Sequence, residues 1–565
     1  MLSNLILFLK SNEIYSAFPG IIAVISLLAL FLAWNQRKVF IKLFGNISKV
    51  TLLILILIAI AFVLVCAFWG LNFKFFNACD REWRELSVAS NLLSGNESAL
   101  SQFPEKKVPS LMLALGFRIF GFNPLIASLM NLFLAVLSIF LVFVLAQVVF
   151  KNEKVSLASS LLYAFNPFTL VFTSLRMGDS TTVGFFLLLF AITAILSFRY
   201  HKLSLHILTL AFFALTLHTK PEYFILIFPL IFCFIIFKEY IYFSPKKIII
   251  LIILFFLFSL PFFVSNIHFR ESYALGWCGT PSQTFHNGKI YSYSQPITES
   301  LDKIIRFLTN GRFSINYLIY DIPNFMKFWS SKGFVLTFSL ILFGSLSAFK
   351  KHKKESLFIF SLFLSISTVY LADCIYYETR LAIPTFGPIV IFSGLAVSLL
   401  SEKIKKGLGI QLPEMLIGGG VILALIFCCY FDFHHLRLLS YKNYSTRGIV
   451  NSYNDFKDII DYYYLSPDDS HFVAVHETEM EILRLLGYET DCLGDLIRTD
   501  YFQDRQKFFQ SLNLSLNPAK NNYFIYSWYC KTQIELTDVC NFVVDNRIQE
   551  EIGQRGGYRI YLLKD

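Results

Sequence analysis

Long apolar runs recur through the first three-quarters of the chain, and they limit what it can fold into more than any other feature. They lie at 17–34, 51–71, 125–150, 155–174, 180–198, 203–218, 221–237, 248–265, 333–348, 356–372, 381–400 and 415–431. Each is near the length needed to cross a hydrocarbon core, which predicts about twelve spans. A water-soluble chain could not hide them. Of 565 residues 55% are hydrophobic and 63 are phenylalanine, more than one buried core can take, so many must face lipid or line helix seams. Inside a bilayer every backbone polar group needs a partner, and runs of this length find one as helices. The fold class expected is a polytopic α-helical membrane protein.

The charge pattern agrees with that class. A net charge of +10 would point to nucleic acid in a soluble protein. Here the excess sits in short loops between apolar runs, so no nucleic-acid partner is expected. Alternate loops carry Arg37, Lys38, Lys42 and Lys49; Lys151 and Lys154; Arg199 and Lys202; Lys238, Lys246 and Lys247; Lys350, Lys351, Lys353 and Lys354; then Lys403, Lys405 and Lys406. If each run spans once, all six groups fall on one side, and the rule that basic loops stay inside makes that side cytoplasmic. The first run is followed by basic residues and not by a small-residue cleavage site, so it reads as a retained span. No internal repeat is visible.

The character changes near residue 434. Residues 451–464 and 477–486 read as helices, and 471–475, 523–528, 541–544 and 558–563 as strands. Alternating helices and strands imply a small α/β domain outside the membrane over 434–565. Cys492, Cys530 and Cys540 lie there, and a Cys530–Cys540 disulfide would suit an oxidising compartment. None of the ten cysteines shows metal-type spacing.

Chemistry is expected on the face opposite the basic loops. The first long polar segment, 80–109, holds Asp80-Arg-Glu82-Trp-Arg and, near its end, Pro104-Glu105-Lys106. The short links on that face pair a basic residue with an acid: Arg176 with Asp179, Lys220 with Glu222, Glu378 with Arg380. Charges at a bilayer edge are costly unless they meet ions, phosphates or each other. Lysine and arginine suit a phosphate, and carboxylates suit a divalent cation or a general base. The plainer roles are snorkelling for Arg176, Lys220 and Arg380, a helix cap for Asp80, and a solvated pair for Glu105 and Lys106. His218 and His268 lie where a metal would be reachable, although isolated histidines are more often hydrogen-bonded structure.

In order, these segments resemble a family. Asp80-Arg-Glu-Trp-Arg, Leu92-Leu-Ser-Gly95-Asn96, Pro104-Glu105-Lys106, Phe120-Gly-Phe-Asn123, Phe165-Asn-Pro167, Arg176 to Asp179, Lys220-Pro-Glu222 and Glu378-Thr-Arg380 are similar to the GT-C glycosyltransferases. The nearest subgroup contains the protein O-mannosyltransferases and the lipid A aminoarabinose transferase. The resemblance implies a membrane enzyme that moves a sugar from a polyprenyl-phosphate donor to a lipid, glycan or protein acceptor on the external face. It implies Asp80 as the base that deprotonates the acceptor, with Glu82 close enough to share that work. Lys106, Arg176, Lys220 and Arg380 would meet the donor phosphate, and Glu105 and Asp179 a divalent metal cation, the one cofactor expected. The chain departs from the family where Lys107-Val-Pro109 replaces a Pro-Pro doublet, and in an extra leading span at 17–34.

The domains expected are therefore 1–50, the extra span with its basic loop; 51–433, a GT-C-like catalytic core with external loop 72–109; and 434–565. The expected setting is the bacterial inner (plasma) membrane among membrane lipids, with an endoplasmic-reticulum membrane as the alternative. The competing functions are a transporter or flippase of lipid-linked glycans and a non-catalytic scaffold presenting the C-terminal domain.

Overall fold

The computed structural model describes residues 17–44, 47–73, 88–93, 107–121, 124–166, 169–170, 173, 179–273, 284–286, 289–291, 332–372, 382–408, 418–424, 458–474, 479, 483, 488–492, 512, 516–527, 530, 534–555 and 558–564. The chain divides into two compact units, one of residues 1–68, 97–112 and 128–437, the other of 69–96, 113–127 and 438–565.

The helices in chain order are α1 (Phe18–Asn35), α2 (Arg37–Phe44), α3 (Lys49–Phe73), α4 (Lys107–Phe120), α5 (Pro124–Phe150), α6 (Glu153–Ala164), α7 (Asp179–Tyr200), α8 (Leu203–Thr219), α9 (Ile227–Ile236), α10 (Pro245–Tyr273), α11 (Lys332–Lys351), α12 (Lys353–Ala372) and α13 (Ala382–Leu408). Six stretches within them are long and apolar enough to cross a membrane: Phe18–Asn35, Lys49–Ala67, Ile126–Phe150, Thr181–Tyr200, Pro245–Val264 and Pro384–Gly407. The run expected at 155–174 is described as one helix only over Glu153–Ala164, and α8 is a shorter apolar helix. The run at 221–237 divides into a 3-10 turn, Pro221–Leu226, and α9.

Local rules account for the breaks. A residue before proline is pushed out of the helical region, and Lys220, ahead of Pro221, is extended at φ −154° and ψ 114°, which ends α8. Asn152 caps α6, its Oδ1 accepting from the Lys154 and Val155 N–H groups at 3.0 and 3.3 Å. Lys151, His201 and Lys238 take positive φ of 53°, 51° and 55°, the left-handed turn that closes a helix, with side chains that are not glycine.

Small residues let α13 pass close to two neighbours. A methyl group at Gly394 would collide with Ser159 Oγ and the Val155 carbonyl of α6, and one at Gly344 of α11 with the Phe392 carbonyl of α13. Aromatic rings fill the space beside this crossing: Phe190 of α7 meets Phe213 of α8 and Phe358 of α12, each at 6.1 Å. By contrast α1 and α3 leave Leu27, Leu30, Leu53 and Leu57 more than half exposed, as lipid-facing surfaces do.

At the lysine-rich end, ionic ties join helix termini. Ser48 donates from N and Oγ to the Glu153 carboxylate at 3.1 and 2.9 Å, and Thr51 Oγ1 donates to it as well. Arg199 bridges Glu355 at 2.5 Å and donates to the Val148 carbonyl at 2.8 Å. The Glu239 carboxylate, fully buried, meets His201 Nδ1 at 2.8 Å.

In the C-terminal segment lie strands β3 (Ser470–Ala474), β4 (Glu489–Cys492), β5 (Asn521–Tyr526), β6 (Ile548–Arg555) and β7 (Tyr558–Leu563), with a two-stranded pair β1 (Thr284–His286) and β2 (Lys289–Tyr291) earlier in the chain. The sheet order is β4-β3-β5-β7-β6. β3 runs parallel to β4 and β5, while β7 is antiparallel to β5 and β6. Residues 541–544, expected as a strand, belong instead to helix α14 (Ile534–Arg547). Their β-branched pair Val543-Val544 is overruled by packing, because Val539, Cys540 and Val543 are buried at helical spacing against Val473 and Phe524. Cys530 and Cys540 form a disulfide with Cα atoms 5.7 Å apart.

Candidate active site

Of the residues singled out in the sequence, Asp80, Glu82, Glu105, Lys106, Arg176 and Arg380 lie outside the described residues, as does His268's side chain. Asp179 is placed as the first residue of α7. Lys220 is described in full. It follows the last turn of α8, where Thr216 and Thr219 return their hydroxyls to carbonyls one turn back at 2.8 and 2.7 Å. Its N–H donates to the Thr216 carbonyl at 3.0 Å, and its own carbonyl accepts from Tyr223 N–H at 3.2 Å. Lys220 is 4% exposed and Glu222 is 2% exposed, so neither snorkels into open water. The Pro221 turn is the reason. It folds the chain back instead of letting the helix run on into solvent.

Two more groups belong to this end of the bundle. His218 is buried, and its Nε2 donates to the Phe258 carbonyl of α10 at 2.8 Å. Pro261 lies three residues along α10 and supplies no N–H to the helical ladder, which loosens the backbone there. A side chain held this way serves structure, and His218 is not the metal ligand its position in the sequence allowed. Lys107, the first residue of α4, is 2% exposed and holds its Nζ 5.4 Å from the centre of the Phe18 ring. Its charge is felt at the His218 ring. Sequence reading fixed on its neighbour Lys106 and passed over Lys107, for which the only signal was its place just ahead of an amphipathic helix. Near them, Asn131 Nδ2 of α5 donates to the Thr173 carbonyl at 3.2 Å.

Burying a lysine costs several kcal/mol unless its charge is met, and Lys107 and Lys220 are both buried. Such sites are suited to anions. For a divalent cation, no group of three His, Cys, Asp or Glu side chains stands close enough to hold one among the described residues.

Residues 107–264 match the profile of the dolichyl-phosphate-mannose-protein mannosyltransferase family. The fold is shared with solved structures over nearly the whole chain. ArnT from Cupriavidus metallidurans bound to undecaprenyl phosphate aligns over 90% of this chain and 97% of its own, with 10% identity and a TM-score of 0.53. The apo form of that protein aligns with the same coverage and TM-score at 11% identity. The Archaeoglobus fulgidus oligosaccharyltransferase, tethered to an acceptor peptide, aligns over 92% of this chain and 74% of its own, at 12% identity and a TM-score of 0.53.

The chain has the GT-C glycosyltransferase fold. No curated protein sequence matches it. The stretch that matches the family profile runs from Lys107 to beyond Phe258, so Lys107, His218, Lys220 and Glu222 of this GT-C chain all fall inside it. The extra span α1 precedes it.

Proposed function

We propose that this GT-C chain transfers a sugar from a polyprenyl-phosphate donor to an acceptor at the end of the bundle opposite the lysine-rich loops, with inversion at the anomeric carbon. The observation that carries the reading is the burial of Lys107 and Lys220 at that end, inside the stretch that matches a mannosyltransferase family. Two buried ammonium groups suit the phosphate of a lipid-linked sugar as it departs with its negative charge. The lysines supply charge without bidentate geometry, which the proposal gives to Arg176 and Arg380. Lys106 completes the cationic set.

The acceptor hydroxyl gives its proton to the Asp80 carboxylate as its oxygen bonds to the anomeric carbon. The bond from that carbon to the phosphate oxygen breaks in the same step, and the polyprenyl phosphate leaves with the electron pair. Glu82 is the alternative base. One displacement needs one base, whereas a covalent intermediate would need a second carboxylate at the anomeric carbon. A divalent cation, where bound, would be held by Glu105 and Asp179 and would add positive charge beside the phosphate. The reaction face is assigned to the outside of a bacterial inner membrane. The lysine-rich loops at the other end support this, as does the Cys530–Cys540 disulfide, a bond typical of oxidising compartments.

The test is sugar transfer by membranes supplied with a radiolabelled polyprenyl-phospho-sugar, for wild type and Asp80→Asn, with and without EDTA. Loss of the base should lower kcat by about 10²- to 10⁴-fold with donor KM little changed. Transfer by Asp80→Asn at the wild-type rate would remove Asp80 as base. Movement of the intact donor across the membrane without transfer would make the chain a flippase.

A further inference from the structure

α1 lies outside the stretch that matches the family profile, yet its first residue, Phe18, is 0% exposed. An aromatic ring that merely anchors a helix at the interface keeps part of its surface wet. Phe18 instead lies under an ammonium group, 5.4 Å from Lys107 Nζ. That is within the range in which the negative face of a ring attracts a cation, and removal from water strengthens the attraction. α1 packs along α8, the helix that carries His218 at its other end.

The His218 ring has a defined hydrogen pattern. A carbonyl only accepts, so the bond to Phe258 puts a hydrogen on Nε2 and leaves the lone pair of the neutral ring on Nδ1. Nδ1 is buried and meets no hydrogen-bond partner among the described residues. The ring lies within electrostatic reach of Lys107. An aromatic face and an imidazole, from two helices distant in sequence, therefore bound one buried cation.

We propose that α1 is a working wall of the phosphate site, Phe18 and His218 acting as positioning residues that hold the Lys107 ammonium ready for the anionic phosphate of a lipid-linked donor. This rests on the functional reading above. A free lysine side chain would lose its rotamer freedom on binding, and a pre-held one has already lost it. The ring adds hold on the ammonium without adding negative charge, so the phosphate meets no further competitor. His218 does the same as a neutral group.

The experiment uses the full chain in detergent, with undecaprenyl phosphate as the probe and its apparent Kd as the readout. Replacing Phe18 with a polyfluorinated phenylalanine keeps the shape and cancels the negative face. It and Phe18→Leu should each weaken binding about 3- to 10-fold, and the fluorinated variant should keep the wild-type thermal midpoint. Ile22→Ala, which removes a buried side chain from the same helix, should lower the midpoint and leave Kd unchanged. The inference is overturned if the fluorinated ring binds the probe like wild type, or if Ile22→Ala weakens binding as much as Phe18→Leu does. His218→Gln, which keeps a donor for the Phe258 carbonyl, reads the second wall independently and should also weaken binding. A wild-type chain that fails to bind the probe overturns the functional reading and this inference with it. Binding by wild type that all ring variants retain overturns the inference alone.

Discussion

At the scale of single residues, the two ends of the bundle treat charge differently. At the lysine-rich end each buried or half-buried acid has a visible answer, Glu153 most plainly. The Thr51 hydroxyl, and after it the side chain and N–H of Ser48, hold the Glu153 carboxyl below the usual carboxylate range against the opposing pull of desolvation. A carboxylate with a lowered folded-state pKa contributes stability above its unfolded value near 4.5, and loses it as pH falls through the lower folded value. Glu153→Gln should therefore cost on the order of 1 kcal/mol at neutral pH, after allowance for partial exposure, and progressively less on acidification below about pH 4. Thermal unfolding of both forms in detergent at neutral and acid pH checks this. A gap that does not narrow in acid would mean that the ionised carboxylate is not what ties α3 to α6. At the other end, Lys107, Lys220 and Glu222 are buried outright. Burial of that kind has little use in a scaffold and an evident one beside a phosphate.

At the scale of elements, composition foretold helices better than it foretold their ends or their partners. α1, α5, α7 and α10 sit where apolar runs required them. The division at Lys220-Pro221 was also readable, because a proline disfavours helix in the residue before it. Residues 541–544 were not readable: a β-branched run looks like a strand until the burial of Val539, Cys540 and Val543 on one helical face is seen. Strand β6 escaped for the opposite reason. Its sequence, Ile-Gln-Glu-Glu-Ile-Gly-Gln-Arg, is polar because it forms the sheet edge, where charge and its two register shifts discourage further pairing. The close approaches of α13 were hidden in ordinary glycines. Gly394→Ala should destabilise the bundle by about 1–3 kcal/mol, since the added methyl meets the Ser159 hydroxyl and the α6 backbone, neither of which can move without repacking. Gly407→Ala, with open space around it, serves as the control and should leave the thermal midpoint unchanged or raise it.

At the scale of the whole molecule, the fold class and the lysine-rich loops were legible in the sequence, and the C-terminal sheet was legible in outline. The disulfide there joins residues ten apart in sequence. Closing a loop of that size stabilises by about 2–3 kcal/mol in the chain-entropy account. Cys530→Ser in the full chain should lower the resistance of residues 470–563 to limited proteolysis by a corresponding factor, leaving cleavage of the helical segments unchanged. Equal loss in both would mean that the bond supports more than the sheet.

The sequence alone determined that this chain lives in a membrane, where its helices run and which loops carry the basic charge, because bilayer thickness and backbone hydrogen bonding act on each run separately. It did not determine which helix faces which, since an apolar face is satisfied as well by lipid as by protein. Only the tertiary structure brought Phe18, Lys107 and His218 from three separate helices into one buried group. Packing of small residues, aromatic rings and a few fixed polar bonds made that choice, and hydropathy records none of them.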